Sequence, residues 1–167
     1  LQLHSLFPTV VATARLTLDP LDLAAQLQTL LALRGAAAGN PSPGCAWTGD
    51  LNGVWQLHRH PDFTGLTDQV VEQAWQYLAA IGFDQARLAL HVQRCWPVLS
   101  DWDQVVGRHH HPNAHLSAVV YLSGTGSGDG GVLRIHAPAQ PNELVPGLAA
   151  GHGGPIAPGH RFNQPHW

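Results

Sequence analysis

The sequence contains no lysine and no methionine, and charged residues make up only 11% of its 167 positions. Arginine carries all of the fixed positive charge, and the formal net charge is −3 with neutral histidines. A chain with this balance has no basic field for a phosphate backbone, which argues against a nucleic-acid partner. It also lacks the cationic amphipathic face that binds a membrane surface.

Cysteine and long apolar runs are scarce as well. Cys45 and Cys95 lie far apart without a C-x-x-C pair, so we expect neither a disulfide framework nor a thiolate zinc site. Residues 1–11 lack the basic and apolar regions of a signal peptide. No stretch reaches the roughly 18 apolar residues of a membrane-spanning helix. We therefore expect a soluble, cytoplasmic protein with no membrane partner.

The length and an apolar fraction of 44% predict a single domain spanning residues 1–167. Its most regular element is a helix that is capped by Asp19 and ends at Gly35. Leucines at helical spacing predict the buried face of this helix: Leu23, Leu27, Leu30 and Leu31. A second helix is predicted from Thr67 to Gly82.

Alternation of apolar and polar residues predicts several strands. They cover residues 10–18, 53–59, 87–99, 116–122 and 131–136. After residue 138 the sequence is rich in glycine and proline and has no periodic element. Helices early and strands later predict an α+β fold, built on a β-sandwich or barrel with the N-terminal helices packed on the sheet.

Twelve histidines exceed the eight basic residues in number, and the densest group is R-H-H-H-P-N-A-H at 108–115. Residues i and i+2 of an extended segment point to the same face, so His109 and His111 converge while His110 points away. Two imidazoles with open positions match half of a site for non-heme iron or another first-row metal. The alternative is a solvated loop that binds nickel or zinc adventitiously. His58 and His60 form a second H-x-H pair. If this pair is functional, we interpret it as part of the rim of an active site.

Several blocks of the sequence carry one family's pattern. They are L-F-P-T-V-V at 6–11, C-W-P-V-L at 95–99, H-H-H-P-N at 109–113, L-S-A-V-V-Y-L at 116–122 and G-V-L-R-I-H-A-P at 131–138. Together they resemble bacterial 2-oxoglutarate/Fe(II)-dependent oxygenases, which carry a Trp strand, H-x-H-P-N and L-S-G-V-Y-Y. The resemblance covers residues 3–138.

The resemblance implies a double-stranded β-helix (a cupin-like jelly-roll) that holds Fe(II) at its mouth and uses 2-oxoglutarate as co-substrate. Carried onto this chain, the first metal ligand is His109. His111 occupies the position where the wider superfamily has an acidic ligand. Asp101 and Asp103 are the nearest carboxylates. They either hydrogen-bond to the metal ligands and orient them or lie in a solvated turn.

The family pattern continues with a strand that carries a distal histidine and a basic residue, and no segment here matches it. The third metal ligand is therefore left open among His152, His160 and His166, or is absent. Arg161 and Tyr121 are the candidates for binding the 2-oxoglutarate carboxylate. We expect the domain to be incomplete at its C-terminal end, and its exposed sheet edges to favour a homodimer or a loosely packed tail.

Two functions follow from this reading. The first is a dioxygenase that hydroxylates an unidentified substrate, either a small molecule or an amino-acid side chain. The second is a non-catalytic jelly-roll module that binds a metal or another ligand.

Overall fold

A computed structural model describes residues 2, 9–37, 39, 42–124 and 131–136, and the backbone of 159–162. Backbone contacts divide the chain into two compact units. The larger is Ala12–Leu122, and the smaller combines Leu1–Val11 with Ser123–Trp167.

Helix α1 spans Pro20–Ala36 and begins where the sequence predicts. The Asp19 carboxylate accepts a hydrogen bond of 2.8 Å from the backbone N–H of Leu21, which caps the first turn. The predicted C-cap, Gly35, is two residues too early, since the helix continues through this glycine to Ala36. Ala37, in an extended conformation, ends it instead.

The buried face of α1 differs from the predicted leucine stripe. Leu30 is buried as expected, whereas Leu31 is 59% exposed, because adjacent residues point about 100° apart on a helix. Leu23 and Leu27 are half-buried. The most deeply buried side chain of the helix is polar: Gln26 is only 2% exposed.

Helix α2 spans Thr64–Ala80. It starts before the predicted Thr67, because the 3-10 turn Pro61–Phe63 leads directly into it. Its end confirms the prediction, since Gly82 has a φ of 92°. The N–H of Gly82 donates to the carbonyl of Ala79 at 3.0 Å, as in a glycine-terminated helix.

The described strands form two antiparallel pairs. In the larger unit, β1 (Trp47–Thr48) pairs with β2 (Val98–Leu99). In the smaller unit, β3 (Leu133–His136) pairs with β4 (Gly159–Phe162). β3 lies within the predicted strand at residues 131–136, and β2 is the only strand within the predicted segment 87–99.

The other predicted strands are absent from these segments. Residues 10–18 lie outside any strand, and the side-chain amide of Gln69 binds both the N–H and the carbonyl of Thr17. Residues 53–59 contain the 3-10 turn Leu57–Arg59, and residues 116–122 form no strand. Within the described ranges the strands are too few to test a double-stranded β-helix, which stays a prediction.

One apolar core lies in the larger unit, where α1, α2 and the 3-10 turns meet. Its buried members are Leu30, Leu57, Phe63 and Leu66. Partly buried side chains pack against them: Leu16, Leu18, Leu33, Cys95, Leu99 and Leu122. The Gln26 amide donates a 2.9 Å hydrogen bond to the carbonyl of Asp62, which fastens α1 to the turn before α2. Of the helices described, none is long and apolar enough to cross a membrane.

Candidate metal centre

The segment before the histidine loop is held to the chain that precedes it. The N–H of Cys95 donates to the carbonyl of Trp55 at 3.0 Å, and its own carbonyl accepts from the N–H of Leu57 at 2.9 Å. On the other side Pro97 is buried. Trp96 therefore lies between two residues that are held in place.

A glycine allows Pro97 to come this close. The N–H of Gly49 donates to the Pro97 carbonyl at 2.8 Å. A Cβ atom at Gly49 would lie 2.5 Å from Cδ of Pro97 and 2.6 Å from the carbonyl oxygen of Val54. Only glycine fits between these groups without a shift of backbone.

Asp101 and Val105 fix the loop that leads to the histidines. Arg34, in the last turn of α1, pairs with Asp101 through a 3.1 Å contact from Nη1 to Oδ1 and a second contact from Nη2 to Oδ2. Hydrogen bonding from this guanidinium lowers the pKa of Asp101. The N–H of Val105 donates to the carbonyl of Gly44, and the Val105 carbonyl accepts from Ala46, both at 3.0 Å.

This pairing changes the expected role of the nearby carboxylates. Both oxygens of Asp101 are engaged by Arg34, so this residue fastens the loop to α1 instead of supporting the histidines. Asp103 is exposed and has a positive φ of 61°, which places it in a tight turn. The solvated-turn alternative therefore describes Asp103.

The structure brings together the rings of His109 and His111. Their centres lie 4.9 Å apart and their planes are inclined by 85°. Both residues are exposed. Nδ1 of His109 lies 2.8 Å from the carbonyl oxygen of Gly107. Because a carbonyl oxygen only accepts, Nδ1 carries the proton and Nε2 keeps its lone pair free for a metal.

The separation of the two rings suits a shared ion. A metal–nitrogen bond of about 2.0–2.1 Å puts each ring centre about 3.2 Å from the metal. Two such rings would be about 4.5 Å apart at a right angle and about 5.2 Å apart at a tetrahedral angle. The observed 4.9 Å lies between these limits. The distance between the two rings is therefore compatible with two ligands of one ion.

Trp96 adds an aromatic contact on one side of this pair. Its ring centre lies 5.5 Å from that of His111, with the planes tilted by 57°. The indole is half-buried, whereas the imidazole is exposed. No third His, Cys, Asp or Glu joins the pair in the part of the chain that the structure describes.

The structure does not test the other predicted site residues. His160 and Arg161 are on β4, whose backbone pairs with β3 in the smaller unit. His152 and His166 lie outside the described residues. Tyr121 is 45% exposed, at the end of residues 116–122.

The two residues of the second H-x-H pair, His58 and His60, have different local environments. Nδ1 of His58 is buried without a hydrogen-bond partner, and burial, helped by the charge of Arg59, lowers its pKa. Nδ1 of His60 accepts a 3.3 Å hydrogen bond from the backbone of Asp62, and its ring meets Phe63 edge-on at 6.0 Å. The two imidazoles therefore differ in their surroundings, and a place at the rim of an active site stays a prediction for both.

His60 also borders an open depression of about 370 Å³. Its other lining residues are Leu33, Gly53, Val54, Trp55, Gln56 and Leu57. The guanidinium of Arg94 lies 5.5 Å above the ring of Trp55. The sequence does not predict this depression, because its lining combines Leu33 of α1 with residues between 53 and 60, where alternation predicts a strand over 53–59 and the structure has a 3-10 turn.

The sequence also does not predict the contacts that two other residues make with the histidine pair. Gly107 acts through its carbonyl, a group that every residue carries. Trp96 is visible as part of the C-W-P-V-L block, but its contact with His111 depends on how the loop between them folds back.

Residues 94–153 match the model of a protein family described as "Putative 2OG-Fe(II) oxygenase". The match covers about a third of the chain and includes both Trp96 and the histidine pair. It supports an oxygenase domain of this type and extends past the described residues. Neither a curated protein nor a solved structure matches the chain.

Proposed function

We propose that the protein is a non-heme Fe(II), 2-oxoglutarate-dependent dioxygenase that hydroxylates a small molecule or an amino-acid side chain. One observation carries this proposal: two imidazoles 4.9 Å apart lie inside the segment that matches the oxygenase family. The jelly-roll of that family is the fold we propose for the domain.

In this proposal the chain's own residues bind the metal ion and hold the binding imidazoles in place. His109 binds through Nε2, since the Gly107 carbonyl keeps the proton on Nδ1. His111 binds beside it and is supported by the ring of Trp96. The bound Fe(II) supplies the reaction of 2-oxoglutarate with O2, which yields succinate, CO2 and a hydroxylated substrate.

The ligand set also favours an anionic co-substrate. Both imidazoles are neutral ligands, so the ion keeps its two positive charges, and the 2-oxoglutarate dianion is electrostatically a suitable partner. We propose that Arg161 or Tyr121 binds the distal carboxylate of 2-oxoglutarate. His152, His160 or His166 remains the proposed third ligand.

The test is turnover of 2-oxoglutarate to succinate by the purified chain with Fe(II) and O2. We expect succinate that depends on both Fe(II) and 2-oxoglutarate. The double variant His109→Ala/His111→Ala should lose it, and His110→Ala should retain it. No succinate from the wild type, or equal amounts from the double variant, would contradict the proposal. Metal binding without succinate would point instead to the non-catalytic module.

A further inference from the structure

The two rings of the metal pair are supported in different ways. His109 is held by the carbonyl of Gly107, a group of its own loop. His111 is exposed, and its ring contacts are with His109 and Trp96. Trp96 is half-buried and follows Cys95, whose backbone is hydrogen-bonded on both sides. The indole therefore links the His111 ring to a segment that backbone hydrogen bonds hold in place.

We infer that Trp96 is a positioning residue for the metal centre, whose indole holds the His111 imidazole in the orientation that binds the ion. The inference rests on the proposed function, because it requires that His109 and His111 bind a metal. An exposed imidazole turns among several rotamers, and a shared ion requires one of them. Ring contact at 5.5 Å limits that freedom before the metal arrives.

The effect of this contact on affinity is measurable. Removing a group that orients a metal ligand costs about tenfold to a hundredfold in metal affinity. The contact is aromatic packing at an exposed site and not a hydrogen bond, so we expect the lower end, about tenfold, for Trp96→Ala. Trp96→Phe keeps an aromatic surface against His111 and should stay within about threefold of the wild type.

The same geometry makes Trp96 a reporter of occupancy. An ion bound through His111 lies beside an indole whose ring centre is 5.5 Å from that imidazole. Co(II), which resists oxidation by air, replaces Fe(II) as the probe and quenches nearby indole fluorescence. The chain has six tryptophans, so quenching by Co(II) should be partial in the wild type and should diminish in Trp96→Phe.

The experiment measures Co(II) affinity by calorimetry and quenching by fluorescence in the wild type, Trp96→Phe and Trp96→Ala. Trp102→Phe is the matched control, because that indole is 87% exposed on the same stretch of chain. We expect weaker binding for Trp96→Ala, retained binding with reduced quenching for Trp96→Phe, and neither change for Trp102→Phe. If Trp96→Ala does not fold, the Co(II) affinity and the quenching of Trp96→Phe still test the proposal.

The outcomes separate the two proposals. Two results would overturn the role of Trp96 while leaving the histidine pair in place. One is wild-type affinity for Co(II) in a folded Trp96→Ala, and the other is quenching in Trp96→Phe as strong as in the wild type. If His109→Ala/His111→Ala binds Co(II) as tightly as the wild type, the metal site itself is refuted, and the positioning role with it.

Discussion

Replacing Gly49 with alanine tests how the segment before the histidines is held. The new Cβ atom would lie 2.5 Å from Cδ of Pro97 and 2.6 Å from the carbonyl oxygen of Val54. Neither neighbour is the end of a flexible side chain, since one is a proline ring and the other is backbone. The clash can be relieved only by moving the chain.

The cost can be estimated from the contacts that such a movement disturbs. Overpacking a filled site costs about 1–3 kcal/mol. The N–H of Gly49 donates to Pro97 at 2.8 Å, and the carbonyl of Gly49 accepts from Val54 at 2.7 Å. Weakening these hydrogen bonds adds about 0.5–1.5 kcal/mol each. We expect Gly49→Ala to lower the free energy of unfolding by about 2–6 kcal/mol.

Urea unfolding at equilibrium measures this loss, provided that the slope m is unchanged. Gly65→Ala is the matched control, because Gly65 is exposed in the first turn of α2 and a Cβ there meets nothing within 4 Å. That substitution should stabilise the protein by about 0.4–1 kcal/mol. A Gly49→Ala protein within about 0.5 kcal/mol of the wild type would show that the space at Gly49 is not filled by Pro97 and Val54.

Two further predictions concern the core and the loop. Leu30→Ala should lower the free energy of unfolding by about 2–5 kcal/mol. Leu31→Ala, at a 59% exposed position, should change it by less than about 0.5 kcal/mol; equal effects in urea unfolding would contradict the packing of α1. The lowered pKa of Asp101 means that its pairing with Arg34 stabilises the fold above the usual carboxyl pKa, and that this contribution is lost as the pH falls through the lowered value. The stability difference between the wild type and Asp101→Asn should therefore hold from pH 7 to about pH 5 and shrink as the pH falls from there to about pH 3. A difference in thermal unfolding midpoints that stays constant down to about pH 3 would be the contrary result.

Local signals in the sequence predict that both helices exist and predict one boundary of each. Asp19 and Gly82 act within one turn of their own position, so the start of α1 and the end of α2 follow from residue type. The face that α1 buries does not follow in the same way. Gln26 is buried because Asp62 offers a carbonyl, and that partner is distant in the chain.

Strands are harder to predict because a strand requires a partner. Residues 10–18 alternate correctly, but the backbone at Thr17 bonds to a glutamine side chain and not to another strand. The proximity of His109 and His111 did follow from their spacing, since extended backbone puts alternate residues on one face. The support from Trp96 and Gly107 depends on the folded loop and could not be derived from spacing.

The central claim is that His109 and His111 bind a metal ion together. Anaerobic calorimetry with Fe(II) tests it on the wild type, His109→Ala/His111→Ala and His110→Ala. We expect the wild type to bind one ion and the double variant to lose it. His110→Ala should keep an affinity within about threefold of the wild type, because the residue between the pair is not part of it. Unchanged binding in the double variant, or its loss in His110→Ala alone, would contradict the claim.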